Sequence, residues 1–228
     1  MSSAALAVTS MPDAVYEALR ESILTQRETP GSAVTEQAVA DRFGVARPTA
    51  KVALERLVAE GLLRRTAHKT ARVPELTRDD IVDLYANRAI VEEAALRALA
   101  GVGEVPAAAE AAQRELESAT AADSGPLARA DIALHRALVE GQPSPRLARL
   151  HALLMGEIEL CTGQVQAHRL LALDDVIAQH RGILAAVAAG DVDAAGRLTR
   201  AHIEGARDRL LARYDAARSA DPEPARTE

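Results

Sequence analysis

The chain has 228 residues, a formal net charge of -6 and 48% hydrophobic residues, enough for one or two buried cores. Aromatics are only 2%, so those cores must be built from Leu, Ala and Val, which suits closely packed helices. The single cysteine, Cys161, excludes an internal disulfide and points to a reducing compartment, where a thiol on an apolar helix face is an inert core group. The opening MSSAALAVTS lacks the basic leader and apolar run of a secretory signal, and no stretch approaches the roughly 20 apolar residues that span a bilayer. A soluble, cytoplasmic protein without a membrane partner is expected.

Residues 11–27 have helical period, with Val15, Leu19, Ile23 and Leu24 facing inward. Residues 34–73 read as helix, tight turn, helix and a short two-stranded wing. Thr35 can cap the first of these helices, whose inward positions are Ala38, Val39 and Phe43; Gly44 makes the turn. The second helix carries Pro48 in its first turn and a buried stripe of Ala50, Leu54, Leu57 and Val58. Arg47 and Lys51 then lie four apart on its outer face, where a recognition helix needs donors for base edges and phosphates. Gly61 ends the helix, and Arg64, Arg65, Lys69 and Arg72 fall in or beside the wing. Residues 40–73 hold eight Arg or Lys against three acids, a basic island in an acidic chain, as phosphate attraction requires.

The run VYEALRESILTQRETPGSAVTEQAVADRFGVARPTAKVALERLVAEGLL resembles the winged-helix domain of the GntR family of bacterial transcription regulators. That resemblance implies contacts to a double-stranded operator from Thr35, Gln37, Arg47, Thr49 and Lys51, and from His68 and Lys69 at the wing. Four departures from the family pattern fall in the helix pair. Gln37 and Lys51 stand where arginines are usual, Ala46 replaces a Ser or Thr, and Pro48-Thr49 inverts a Thr-Pro. Lysine cannot make arginine's planar two-donor contact, so the operator preference of relatives carries over only in part. The wing tip, Ala67 to Thr70, also lacks its usual glycine. One recognition helix reads few base pairs, so a homodimer on a palindrome is expected.

Pro74 closes this first domain, taken as residues 11–75. Residues 76–218 read as helices throughout, six or seven in an antiparallel bundle, and 219–228 as a disordered tail. The fold class is mainly α, a winged helix-turn-helix followed by the bundle. Thr77 caps the first bundle helix, with Asp79 and Asp80 in its first turn.

Four side chains carry the chemistry of the second domain. Asp131 and His135, four apart in ARADIALHRAL, project together from a face shared with Leu127, Leu134 and Leu138. His180 lies among Val176, Ile177, Ile183 and Leu184, and His202 lies four after Leu198 and four before Ala206. A buried aspartate without a partner costs several kcal/mol, and a divalent cation at about 2.0–2.2 Å relieves that cost for all four groups. One histidine on an apolar face is usually a packed core residue; three in one bundle, one with an aspartate beside it, point to a metal. His151, beside Leu147 and Leu154, lines the same cavity or is simply packed. Three imidazoles and a carboxylate suit one zinc ion per subunit first, with nickel, manganese or iron as other candidates.

LTRDDIVDLYANRAIVEEAAL, DIALHRALVE, SPRLARL, AQHRGILAAVAAGDVDAA and RAHIEGA resemble the FCD effector domain of the FadR branch of GntR regulators. The resemblance maps its metal set onto Asp131, His135, His180 and His202, and implies a small carboxylate effector held by the metal with help from Arg88. A surface ion pair of Arg88 with Glu92 is the plainer alternative. Glu157, Glu159, Thr162, Gln164 and Gln166 stand on a helix where relatives often carry arginines, so the effector's identity is not implied. A metalloenzyme would need a base or nucleophile beside the ion, and no such signature exists, so no catalytic residue is assigned. The expected function is a repressor released from a palindromic operator by the effector. The alternative is a metal-responsive regulator without an organic effector.

Overall fold

The computed structural model describes residues 10–66, 69–119, 124–165 and 173–220, with the backbone alone for 124–126 and 220. The chain divides into two compact units, Met1–Glu75 and Leu76–Glu228.

The first unit contains α1 (Met11–Leu24), β1 (Ala33–Val34), α2 (Glu36–Phe43), α3 (Arg47–Ala59) and β2 (Ala71–Arg72). The Ser10 side chain caps α1, which stops three residues short of the expected end. Helix α1 packs on α3, and the Arg56 guanidinium lies 3.8 Å from the centre of the Tyr16 ring. The Thr35 hydroxyl accepts from Ala38 N at 3.1 Å, and Gly44 ends α2 in the left-handed conformation, φ 63°. Ala38 itself is exposed; Val39 and Ala40 take the buried positions, with Phe43 half-buried. In α3 the buried stripe is Ala50, Ala53, Leu54 and Leu57, and Val58 is only half-buried.

The wing differs from expectation. Both of its strands were placed after Gly61, whereas β2 pairs antiparallel with β1, ahead of the helix-turn-helix. The segment after α3 joins through one bridge, Arg64 to Arg72. The reason is local: Leu62 and Leu63 turn into the core, with Leu63 N bonded to Leu57 O, so pairing can begin only at Arg64.

The second unit contains six helices among the described residues: α4 (Arg78–Val102), α5 (Ala107–Ser118), α6 (Ser124–Glu140), α7 (Pro145–Gln164), α8 (Leu173–Ala188) and α9 (Val192–Ala220). A reciprocal capping box of Thr77 and Asp80 starts α4, and Ser144 caps α7. Helix α4 runs along α9 and also packs on α6, α7 and α8, while α5 packs on α6 and α8. One core cluster joins Leu96 and Leu99 to Leu134, Leu138, Ile183 and Val187. Gly141 ends α6 against the Pro106 ring, where any Cβ would lie 2.2 Å from the proline Cγ, so glycine lets α5 and α6 close together. Helix α9 continues through Ser219 and Ala220, which had been assigned to the tail; residues 221–228 lie outside the described residues. No helix among the described residues is long and apolar enough to cross a membrane.

Candidate metal centre

Helices α6, α8 and α9 each bring a ligand-type side chain to one point. One ligand atom from each of Asp131, His135, His180 and His202 lies within 4.8 Å of the others. His202 Nε2 is 3.2 Å from His135 Nε2 and 3.3 Å from His180 Nε2, and Asp131 Oδ1 is 3.5 Å from His180 Nε2. All three histidines are buried and Asp131 is half-buried. On α9, His202 shares its buried face with Thr199 and Ile203, whereas Leu198, expected on that face, is 42% exposed.

The tautomers decide what this arrangement can do. His135 Nδ1 is 2.6 Å from a Glu92 carboxylate oxygen, and His202 Nδ1 is 2.8 Å from the Gln179 amide oxygen. Both partners are acceptors, so both Nδ1 atoms carry the proton and donate it. The two Nε2 atoms lie 3.2 Å apart, so two neutral rings face each other there with lone pairs. Between neutral rings that contact is repulsive, and it becomes favourable when a metal ion or a shared proton lies between them. Two ligands each about 2.1 Å from one ion stand about 3.0–3.4 Å apart at octahedral to tetrahedral angles, so the residues fit a metal. His180 Nδ1 is buried without a partner, so its surroundings do not fix its tautomer. Burial, reinforced by the neighbouring histidines, holds His202 well below its ordinary pKa. Burial likewise brings His180 down to about 4, although Asp131 opposes the shift. Neutral imidazoles are the form that ligates.

Behind the cluster sits a group that the sequence offered only as a surface partner of Arg88. Glu92 on α4 is fully buried and meets three side chains: Arg88 Nε at 2.7 Å, His135 Nδ1 at 2.6 Å and His151 Nε2 at 2.9 Å. Burial alone would raise its pKa, but Arg88 and His135 outweigh that and hold the carboxyl well below the usual range. The Arg88–Glu92 pair thus forms, but as an interior pair with side chains 4% and 0% exposed rather than a surface one. Arg88 Nη2 is buried without a hydrogen-bond partner. Beside Arg88, 5.7 Å from its guanidinium carbon, lies the ring of Tyr85, whose hydroxyl is pushed up to about 12, chiefly by burial. His151 bonds to Glu92 and stands outside the four-residue cluster. Burial pushes the Cys161 thiol up to about 12, so it is an inert core group.

In the first unit the residues expected at DNA are arranged differently. Arg47 and Lys51 are exposed and make only long pairs, 3.8 Å to Glu36 and 3.7 Å to Glu55. Gln37 is exposed and donates to Asp41; Thr35 and Thr49 are half-buried, and Lys69 is exposed. Ala46 precedes α3 with no side-chain cap. His68 lies outside the described residues.

A helix-turn-helix that exposes Arg47 and Lys51, followed in the chain by a helical unit with an interior ligand cluster, is the architecture of a DNA-binding transcriptional regulator. The model of the bacterial regulatory proteins of the gntR family matches residues 12–73, and the FCD domain model matches residues 83–205. The chain belongs to the GntR family of bacterial transcriptional regulators and carries an FCD domain. It is 30% identical over 76% of its length, and 76% of the relative's, to the "Probable D-xylose utilization operon transcriptional repressor" of Paenarthrobacter nicotinovorans. A GntR transcriptional regulator from Rhodococcus sp. RHA1 superposes with a TM-score of 0.75 at 25% identity, covering 90% of this chain and 99% of that one. E. coli McbR/YncC shares the fold, with a TM-score of 0.72 at 19% identity, covering 90% and 99%. These families and relatives are transcriptional regulators and not enzymes.

Proposed function

We propose that the protein is a cytoplasmic, homodimeric repressor that leaves a palindromic operator when a small carboxylate binds at a metal centre. The observation that carries this reading is the convergence of three buried imidazoles and Asp131, one ligand atom of each lying within 4.8 Å of the others. Asp131, His135, His180 and His202 would hold one divalent ion, zinc first by its affinity for such ligands, with nickel, manganese or iron set by supply. When bound, such an ion would supply a Lewis-acidic anchor for effector oxygens. Arg88, with a buried donor unspent, supplies a second anchor. The named function of the Paenarthrobacter relative supports repression. In the first unit, Thr35, Gln37, Arg47, Thr49, Lys51 and the wing residues His68 and Lys69 would face the operator.

Effector binding can shift operator affinity only by favouring one of two arrangements. Helix α4 is the candidate lever, because it carries Arg88 and begins just after the Pro74 linker. Elemental analysis of protein reloaded with metal tests the centre: about one equivalent per chain is expected, and none in His180→Ala, which should still bind operator. Unchanged metal content in that variant would remove the site. Arg88→Ala should bind operator normally and fail to release it with effector, measured by fluorescence anisotropy of labelled DNA. Release by metal alone would point to a purely metal-responsive switch. Light scattering of the protein–operator complex should give two chains per duplex.

A further inference from the structure

Two of the three clustered imidazoles are steered from outside the cluster, by groups of different kinds. His202 Nδ1 meets the amide oxygen of Gln179, an exposed side chain whose place water can take. His180 Nδ1 has no partner. His135 Nδ1 meets Glu92, which is fully buried and already committed on its other oxygen. Glu92 Oε1 accepts from Arg88 Nε at 2.7 Å and faces His151 Nε2 at 2.9 Å, while Oε2 faces His135 Nδ1 at 2.6 Å. An arginine only donates and keeps its proton, so the atom facing its Nε must be an acceptor. An ionised carboxylate accepts on both oxygens, so Glu92 can serve Arg88 and still require the proton of His135.

Resting on the metal reading above, we infer that Glu92 is a positioning residue of the metal centre: it holds the His135 proton on Nδ1 and so turns a bare Nε2 toward the ion. A carboxylate behind an imidazole also makes the ring a stronger donor to a metal, and losing such a group costs roughly 10–100-fold in affinity. Glu92→Gln would reverse this arrangement rather than merely weaken it. Its one amide oxygen stays with Arg88 and His151, where two donors meet it, and the NH2 group then faces His135 Nδ1. That nitrogen must accept, so the ring proton moves to Nε2 and covers the lone pair that faces the metal.

Full-length protein labelled with 15N in its histidine rings is compared by NMR, zinc-free and reloaded with zinc, as wild type, Glu92→Gln and Gln179→Ala. In the wild type, His135 Nδ1 should carry a proton in both states, and zinc should bind the ring through Nε2. In zinc-free Glu92→Gln the ring proton should sit on Nε2, and zinc affinity, read by competition with a chelating dye, should fall at least about tenfold. Gln179→Ala should lose less, because water can replace the amide. Zinc bound through His135 Nδ1 in the wild type would overturn the inference while the centre stands. So would a Glu92→Gln protein that keeps the Nδ1 proton or the wild-type affinity, or equal losses in the two variants. Should Glu92→Gln not fold, the wild-type spectrum decides alone. If the wild type takes up no zinc, the metal reading falls, and this inference falls with it.

Discussion

Two ion pairs with the same four-residue spacing show how differently the two units use charge. Lys51 and Glu55 on α3 are 3.7 Å apart with side chains 54% and 56% exposed; Arg88 and Glu92 on α4 are 2.7 Å apart and almost wholly buried. The first pair sits in water and salt, so it contributes little and can be traded for a phosphate at small cost. The second has lost its hydration, so each partner is costly without the other. A surface that must exchange partners keeps its charges loose, and a cavity that must hold one geometry fixes them.

The sharpest break of that contrast is Glu92→Ala. It strands the Arg88 charge and frees the tautomers of His135 and His151, and should destabilise the protein by about 3–5 kcal/mol in urea titrations. A loss below about 1 kcal/mol would mean the interior pair behaves like a surface one.

Acid should act on the cavity in the same direction. An unfolded histidine takes up a proton near 6.5, whereas His180 in the fold does so only near 4. Its contribution to metal-free stability is therefore complete above 6.5 and is lost as pH falls from 6.5 toward 4. Roughly 3 kcal/mol is at stake. Chelator-treated protein unfolded in urea at pH 7.5, 6 and 5 should show a midpoint falling steadily, and a flat profile would contradict the burial.

On the exposed side, Arg47→Ala should weaken operator binding by about 1–3 kcal/mol while leaving the circular dichroism and melting curve unchanged. An equal loss on every DNA sequence would make Arg47 a phosphate contact rather than a base reader. The smallest effect belongs to Glu55→Ala, which should change stability by less than about 0.5 kcal/mol. A larger change would mean that the face of α3 is not the loose surface its distances describe.

Much of this was legible in the sequence because it rests on period and capping. Thr35, Gly44, Pro48, Thr77 and Ser144 mark helix ends by local chemistry, and each acts within four residues. The Asp131–His135 pair is visible for the same reason, and His180 and His202 through their apolar neighbours. Glu92 was legible only as a surface partner of Arg88, and its burial was not, because Glu93 stands beside it and a Glu-Glu step does not say which member turns inward. A signal existed: Glu92 continues the buried stripe of Ile81, Leu84, Tyr85 and Arg88 toward Ala95 and Leu96. The wing was misread because β1 and β2 are two residues each, too short for an alternating pattern, and their partnership spans the whole helix-turn-helix.

The scarcity of aromatic side chains has an optical consequence. With no tryptophan and only Tyr16, Tyr85 and Tyr214, all intrinsic emission comes from three phenols. Of the three, Tyr85 is the one beside the interior Arg88, with its hydroxyl bonded to Thr162. A guest that displaces that bond, or a nearby ion with unpaired electrons, alters one emitter in three. The wild-type chain thus carries its own reporter, which the substitution Tyr85→Phe would silence.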